Sequence, residues 1–415
     1  MLEEARALDA ADPLAAFRDR FVISDPDLIY LDGNSLGRMP KSAVDVLDRL
    51  KLEWGDRLVT GWGGGWYDLP RRLGAKIAKL IGAGEDEVIV CDSTSVNLYK
   101  LVVAVDQGPT QDRLWALTDD TNFPSDLYVL QGVFGRRVTA LPSGPDGYVT
   151  IESFVRAMDR LHGRGLLLAL SHTAFKCAYV HPIGTLTKEA RKRNLVTLWD
   201  LSHSVGVLPV DLNHAGVDLA IGCTYKYLNG GPGAPAFLFV RRDLQEKLGN
   251  PIRGWFGQRD PFRFSTDYHP AAGINRFLAG TPPILSMAAA EPGIDLVIEA
   301  GVDEIRRKSV AQTEFLIRLF DRHLEPLGFQ LASPRDSAVR GSHVSISHRL
   351  ALQIDQALIH DMKVVPDFRT PDNLRLGIAP LYTRFVDLHE AVMRLEQVME
   401  RKLYEHYPAA GIEVT

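Results

Sequence analysis

Thr224-Tyr225-Lys226-Tyr227-Leu228-Asn229-Gly230-Gly231-Pro232-Gly233 is the stretch on which the fold turns. It follows the apolar run Leu219-Ala220-Ile221-Gly222, which reads as a buried strand, and precedes another, Ala236-Phe237-Leu238-Phe239-Val240. Lysines are almost never fully buried without a partner. At the end of an apolar strand the Lys226 ammonium faces a cleft rather than bulk water, where it can lose its proton and form a Schiff base with an aldehyde. The glycines let the chain pass close to a bound molecule. Gly231-x-Gly233-x-x-Ala236 has the letters of a dinucleotide fingerprint but precedes a strand instead of opening a helix, and no GxxxxGK phosphate loop is present.

Upstream, short apolar runs alternate with helical patterns: Glu87 to Cys91, Leu114 to Leu117, Val138 to Leu141, Leu166 to Leu170 and Val196 to Trp199. Runs apolar on both faces and separated by helices predict a mainly parallel, seven-stranded sheet covered on both sides. Ligands of such sheets bind at the carboxyl ends of the strands. Two further strand ends are unusually polar. Asp92-Ser93-Thr94-Ser95-Val96-Asn97 opens a helix, whose free amides and dipole suit a phosphate monoester; a plain N-cap is the bland alternative. Trp199-Asp200-Leu201-Ser202-His203 places a carboxylate deep in the cleft, where a protonated pyridine nitrogen would balance it and His203 could orient it. Asp200 as a helix cap and His203 as a satisfied core histidine are the bland alternatives. A phosphate cup, an aspartate and then a lysine about two dozen residues later follow the order of an aspartate-aminotransferase-type fold that binds pyridoxal 5′-phosphate (PLP). No HExxH or Cys/His cluster offers a metal site.

The length of 415 residues suits a large and a smaller domain. A net charge of −5 gives no basic excess for nucleic acid or a membrane surface, and no apolar run reaches the ~20 residues of a membrane span. The start lacks the features of a signal peptide. Three cysteines without a CxxC pair read as buried small hydrophobes in a reducing compartment, hence the cytoplasm. A short helix is expected around Pro13 to Phe21, and a longer one after Pro40 with Val44, Leu47 and Leu50 on one face. Residues 1–45 read as an N-terminal arm and helix joining the small domain, 46–282 as the large PLP-binding domain and 283–415 as a small α+β domain.

The chain resembles the kynureninases from its N-terminal arm to its last domain. Tyr30-Leu31-Asp32-Gly33-Asn34-Ser35-Leu36-Gly37, Asn122-Phe123-Pro124-Ser125-Asp126, Gly254-Trp255-Phe256-Gly257, Arg276 to Pro283 and Arg375 to Tyr382 carry the match, beside the three motifs above. Gly-Asn-Ser-Leu-Gly, Phe-Pro-Ser-Asp and Gly-Thr-Pro-Pro are its most specific segments. The resemblance implies a PLP-dependent hydrolase of tryptophan catabolism and NAD biosynthesis. It would cleave L-kynurenine between Cβ and Cγ to anthranilate and L-alanine, through aldimine, quinonoid and ketimine intermediates.

The resemblance also implies roles. Lys226 would carry the cofactor, Asp200 its pyridinium with His203 close by, and Phe123 would stack on the ring. Thr94, Ser95 and Tyr225 would contact the phosphate, with Asp126 and Ser171 around the cofactor. Tyr225 would also be the general acid. Trp255 and Thr281 would reach the phosphate across a homodimer interface. Ser35, Trp62 and Arg375 would contact substrate, Arg375 as a two-pronged clamp on its carboxylate. Trp62, with an apolar face and one donor, would favour kynurenine over its 3-hydroxy form; packing of the loop with Trp66 is the bland alternative.

The nearest rivals are other PLP enzymes of this fold, a cysteine desulfurase or an aminotransferase. A desulfurase needs a nucleophilic cysteine on a mobile loop near Ser333 to Asp336, and no cysteine follows Cys223. A non-catalytic binder of the same fold would lack the lysine, which is present.

Overall fold

The computed structural model describes residues 1–108, 114–144 and 147–408. Seven strands form the large sheet: β1 (Val88–Val90), β2 (Trp115–Asp119), β3 (Val138–Leu141), β4 (Gly165–Ser171), β5 (Val196–Asp200), β6 (Leu219–Gly222) and β7 (Phe237–Val240). They pair in the order β1-β7-β6-β5-β4-β2-β3. Only β7 runs against its neighbours β1 and β6. These are the strands expected from the apolar runs. Along them alternate residues enter different cores. Val88, Val90, Leu168, Leu170, Trp199, Phe237 and Phe239 face one; Ile89, Ala116, Leu167, Ala169, Leu198 and Leu238 face the other. Each such Val, Leu, Ile or Phe side chain fully removed from water contributes about 1.5–3 kcal/mol.

Register puts the polar strand ends side by side. Ser171 lies opposite Asp200, and Asp200 opposite Ile221, so the chain leaving β4, β5 and β6 emerges along one edge. The functional side chains are placed by this alignment.

The smaller sheet is antiparallel, in the order Asp367–Arg369, Asn373–Gly377, His343–Ser347, Gln330–Leu331. Its core holds Phe315, Val344, Ile346, Ile354, Leu374, Leu388 and Leu395. The N-terminal arm is shared: Ala5, Ile29 and Leu31 enter this core, whereas Leu14 and Phe21 enter the large one. Asp9 accepts the Phe385 and Val386 amides at 2.7 and 3.0 Å, and Ile29–Tyr30 pairs with Val364–Val365.

Two sequence expectations differ. The first α-helix is Leu2–Ala10, with Glu3 and Glu4 at its N-terminal turn, whereas Ala15–Arg20 is a 3-10 turn. The helix after Pro40 spans Lys41–Arg57, but Val44 and Leu47 are 40% and 36% exposed; only Leu50 of that face is buried. The helix Ile284–Ala300, beyond the expected boundary at 283, sends Met287, Ile294 and Val297 into the large core.

Candidate active site

After β1 the chain turns through Asp92, at φ 48°, into the helix Thr94–Asp106. Ser93 caps it, its hydroxyl accepting the Val96 amide at 3.3 Å. The Thr94 and Ser95 amides have no helical acceptor, and with the dipole they make an anion seat. Lys100, on the next turn and fully buried, holds this loop from behind. Its ammonium pairs with Asp92 and donates to the Phe277 carbonyl at 2.7 Å. Sequence reading passed over Lys100. The signal was a lysine inside the apolar run Leu98 to Val105.

At the end of β5 the Ser202 amide donates to Asp200 Oδ1 at 2.6 Å. His203 was expected to orient that carboxylate. Instead its Nε2 lies 2.9 Å from Lys226 Nζ, and Ser202 does the orienting. Burial, and then the Lys226 charge, hold the His203 imidazole well below its ordinary range, so it is neutral. Asp126 and Asp200 hydrogen-bond each other. Burial raises both, and the Asp200 charge pushes Asp126 well up, so the proton rests on Asp126 and the charge on Asp200.

Asn122 fixes the third wall. Its Oδ1 accepts the Phe123 amide at 2.9 Å and the Ser171 hydroxyl at 2.6 Å, while its Nδ2 donates to Thr118 at 3.2 Å. The Phe123 ring faces Lys226 Nζ at 5.8 Å. The nearby Cys223, and then burial, raise the Tyr225 hydroxyl, which therefore keeps its proton.

These groups enclose a cavity of about 410 Å³. Of the sequence candidates, Thr94, Ser95, Phe123, Asp126, Ser171, Asp200, His203, Tyr225 and Lys226 line it together. Five do not. Arg375 and Ser35 are instead hydrogen-bonded to each other, in a network that joins the small sheet to the N-terminal arm. Trp62 packs 5.6 Å from Phe256. Trp255 and Thr281 are both exposed and joined to each other, the indole donating to the threonine hydroxyl at 3.3 Å. His343, fully buried at 5.8 Å from the His203 ring, was not anticipated.

The donor set suits PLP. Its lining combines an anion seat, an aromatic face, a lysine and a charged aspartate. A side chain on Gly233, which lines the cavity at φ 70°, would meet no protein atom within 4 Å, so the backbone leaves room for a ligand there. No group of three or more His, Cys, Asp or Glu among the described residues could hold a metal.

The structure is similar to that of a cysteine desulfurase from Thermococcus onnurineus NA1, with TM-score 0.77 and 19% identity over 93% of this chain and 98% of that one. It is also similar to C-DES with glycine covalently linked to its PLP cofactor, with TM-score 0.78 and 16% identity over 89% and 97% of the two chains. Fold and cavity define a PLP-dependent enzyme of the aspartate-aminotransferase type. A family model described as the kynureninase C-terminal domain matches residues 305–395. Curated kynureninases from Burkholderia mallei (strain SAVP1) and Pseudomonas fluorescens are 40% and 39% identical, over 97% and 96% of this chain and 96% and 95% of theirs. The chain belongs to the kynureninase family, a family of PLP-dependent hydrolases.

Proposed function

We propose that this chain hydrolyses L-kynurenine to anthranilate and L-alanine in tryptophan catabolism, and 3-hydroxy-L-kynurenine less well. The observation that carries the reading is the shared cavity of Lys226, Tyr225, Asp200 and Phe123 in a chain 40% identical to kynureninases. Cysteine desulfurase chemistry is disfavoured because Cys91, Cys177 and Cys223 are all buried.

When bound, PLP supplies an electron sink for charge developing at the substrate's α- and β-carbons. Thr94 and Ser95 would hold its phosphate, Asp200 its protonated ring nitrogen and Phe123 its face. Lys226 Nζ, once free, moves the proton at the substrate Cα, with neutral His203 as its neighbour. Tyr225, whose hydroxyl keeps its proton, delivers one to Cβ after the aryl acid has departed. Arg375 binds the substrate carboxylate, aided by Ser35, after giving up part of its present bonding.

We read the working unit as a homodimer. Trp255, Phe262 and Phe264 are 39%, 63% and 77% exposed, and Leu47 and Val44 add a further apolar face. A second copy would cover them and bring Trp255 and Thr281 to its own phosphate seat. We keep 1–45, 46–282 and 283–415 as the proposed domain division, with the helix Ile284–Ala300 lending Met287, Ile294 and Val297 to the large core. Among the described residues no helix is long and apolar enough to cross a membrane. The free buried cysteines suit a cytoplasmic setting.

Product analysis with L-kynurenine tests the activity. Equimolar anthranilate and alanine are expected; release of elemental sulfur from cysteine without kynurenine cleavage would reverse the assignment.

A further inference from the structure

Arg375 belongs to a row of polar side chains across the small sheet. Asp367, Arg375 and Ser345 are direct cross-strand neighbours, all buried. The Arg375 guanidinium pairs with Asp367 and donates to the Ser35 hydroxyl at 3.1 Å and the Phe175 carbonyl at 2.6 Å. Ser35 in turn donates to Asp367 at 2.6 Å, and the other Asp367 oxygen lies 2.5 Å from Arg369 Nη1. Asp32, from the N-terminal arm, is buried against this group and hydrogen-bonds Asp367 and Ser35, while its Oδ1 has no partner among the described residues.

The charge count decides what the cluster can bind. Two guanidiniums face the Asp367 carboxylate. If Asp32 were also ionised the charges would cancel, and a buried arginine already neutralised by protein gains little from a substrate carboxylate. With Asp32 protonated, one positive charge is left over among Arg369, Arg375 and Asp367.

We propose that Asp32 is a positioning residue for the substrate carboxylate: as a neutral carboxyl bonded to Asp367, it keeps one net positive charge on the Arg375 cluster. This rests on the reading of Arg375 as the carboxylate's partner. Burial first, and then Asp367, push Asp32 up to about 8. The other groups around it are accounted for. Arg38 lies over the rings of Tyr30 and Tyr382 at 5.2 and 5.7 Å. The Tyr30 and Tyr382 hydroxyls are raised by burial and stay neutral. His343 is held neutral by burial and then by Arg375. Asp355, from the helix Ala351–Met362, is raised to about 7 by burial and then by Asp367, and it is the rival source of any alkaline change.

The test uses 4-oxo-4-phenylbutanoate, an aryl ketone with a carboxylate and no amine, as inhibitor of the holoenzyme from pH 6 to 10. In wild type its inhibition constant should rise above about pH 8, with a limiting slope of about tenfold per pH unit for one linked proton. Asp32→Asn should lose that limb; Asp32→Ser, also neutral and smaller, serves if Asn misfolds. Asp355→Asn should keep it. A limb that survives in both Asp32 variants, or that disappears with Asp355→Asn, overturns the proposal. Arg375→Gln separates the two readings. It should cost about a hundredfold at pH 7. If it costs nothing, the carboxylate reading falls and this one with it; if it costs that much while the limb persists in both Asp32 variants, only the present proposal falls.

Discussion

Nζ of Lys226 lies 2.9 Å from Nε2 of His203, and the ring of Phe123 faces the same nitrogen at 5.8 Å. The lysine is thus fixed between a neutral imidazole and an aromatic face, at the junction of β6 with the cleft.

Lys226→Ala should therefore lower turnover by several orders of magnitude while the fold survives, since the side chain is only half-buried. Borohydride reduction of wild-type holoenzyme should attach the cofactor to the peptide containing Lys226. An adduct persisting on another lysine in the variant would remove Lys226 from the role.

The buried pair Asp126 and Asp200 makes an asymmetric prediction. Asp126 holds the proton and Asp200 the charge. Asp126→Asn imitates the neutral partner and should cost about tenfold or less in kcat. Asp200→Asn removes the anion facing the ring nitrogen and should cost roughly a hundredfold or more. Equal losses in the two variants would show that the proton is not so placed.

Lys100 is read as a stability element of the phosphate seat. Lys100→Met leaves the Asp92 carboxylate and the Phe277 carbonyl without their partner and should destabilise the protein by about 3–5 kcal/mol. Urea denaturation measures this. PLP should also dissociate more readily, whereas the free pyridoxal form, which lacks the phosphate, should be less affected.

His172 predicts an acid limb of stability. Burial, and then His181, lower its imidazole to about 3, and its Nδ1 has no partner among the described residues. Unfolded, the group titrates near 6.5. Between these values the unfolded chain binds the additional proton, so stability is full above pH 6.5 and falls as pH drops toward 3. At pH 4.5 the loss from this group is about 2–3 kcal/mol. His172→Gln should show a correspondingly smaller difference between pH 7 and pH 4.5 in urea denaturation. An unchanged difference would place the acid sensitivity elsewhere.

The large sheet was legible because each strand is a short run apolar on both faces, and the polar residues that end β1, β5 and β6 stand out against it. The cavity followed from reading those ends together. Tertiary pairing left no such mark. Asp32 and Asp367 meet Arg375 across more than 300 residues for one partner and eight for the other, with no spacing that announces a network. His203 was assigned to the wrong neighbour because proximity in sequence favoured Asp200, whereas the fold brings Lys226 within 2.9 Å. The helix Leu2–Ala10 escaped because it buries a single alanine and is stabilised by contacts with Phe385–Glu400 rather than by an apolar stripe of its own.

Trp62 carries the prediction about substrate choice. Its ring stands 5.9 Å from Trp66, edge to face, and 5.6 Å from Phe256, which itself contacts Trp255 at 4.4 Å. Trp62 is thus part of the aromatic cluster that we expect a second copy to cover, and it is absent from the lining of its own protomer's cavity. In a dimer it would address the aryl ring held in the partner's cavity. An indole face stacks well on an aniline ring but offers one donor and no acceptor to an added phenol. Apolar walls reject an added hydroxyl only weakly, by about a hundredfold at most. Wild type should therefore favour L-kynurenine over 3-hydroxy-L-kynurenine in kcat/KM by a factor inside that limit, and Trp62→His should narrow the ratio. A ratio unmoved by the substitution, or a wild type that prefers the hydroxylated substrate, would return Trp62 to a packing role beside Trp66 and Phe256.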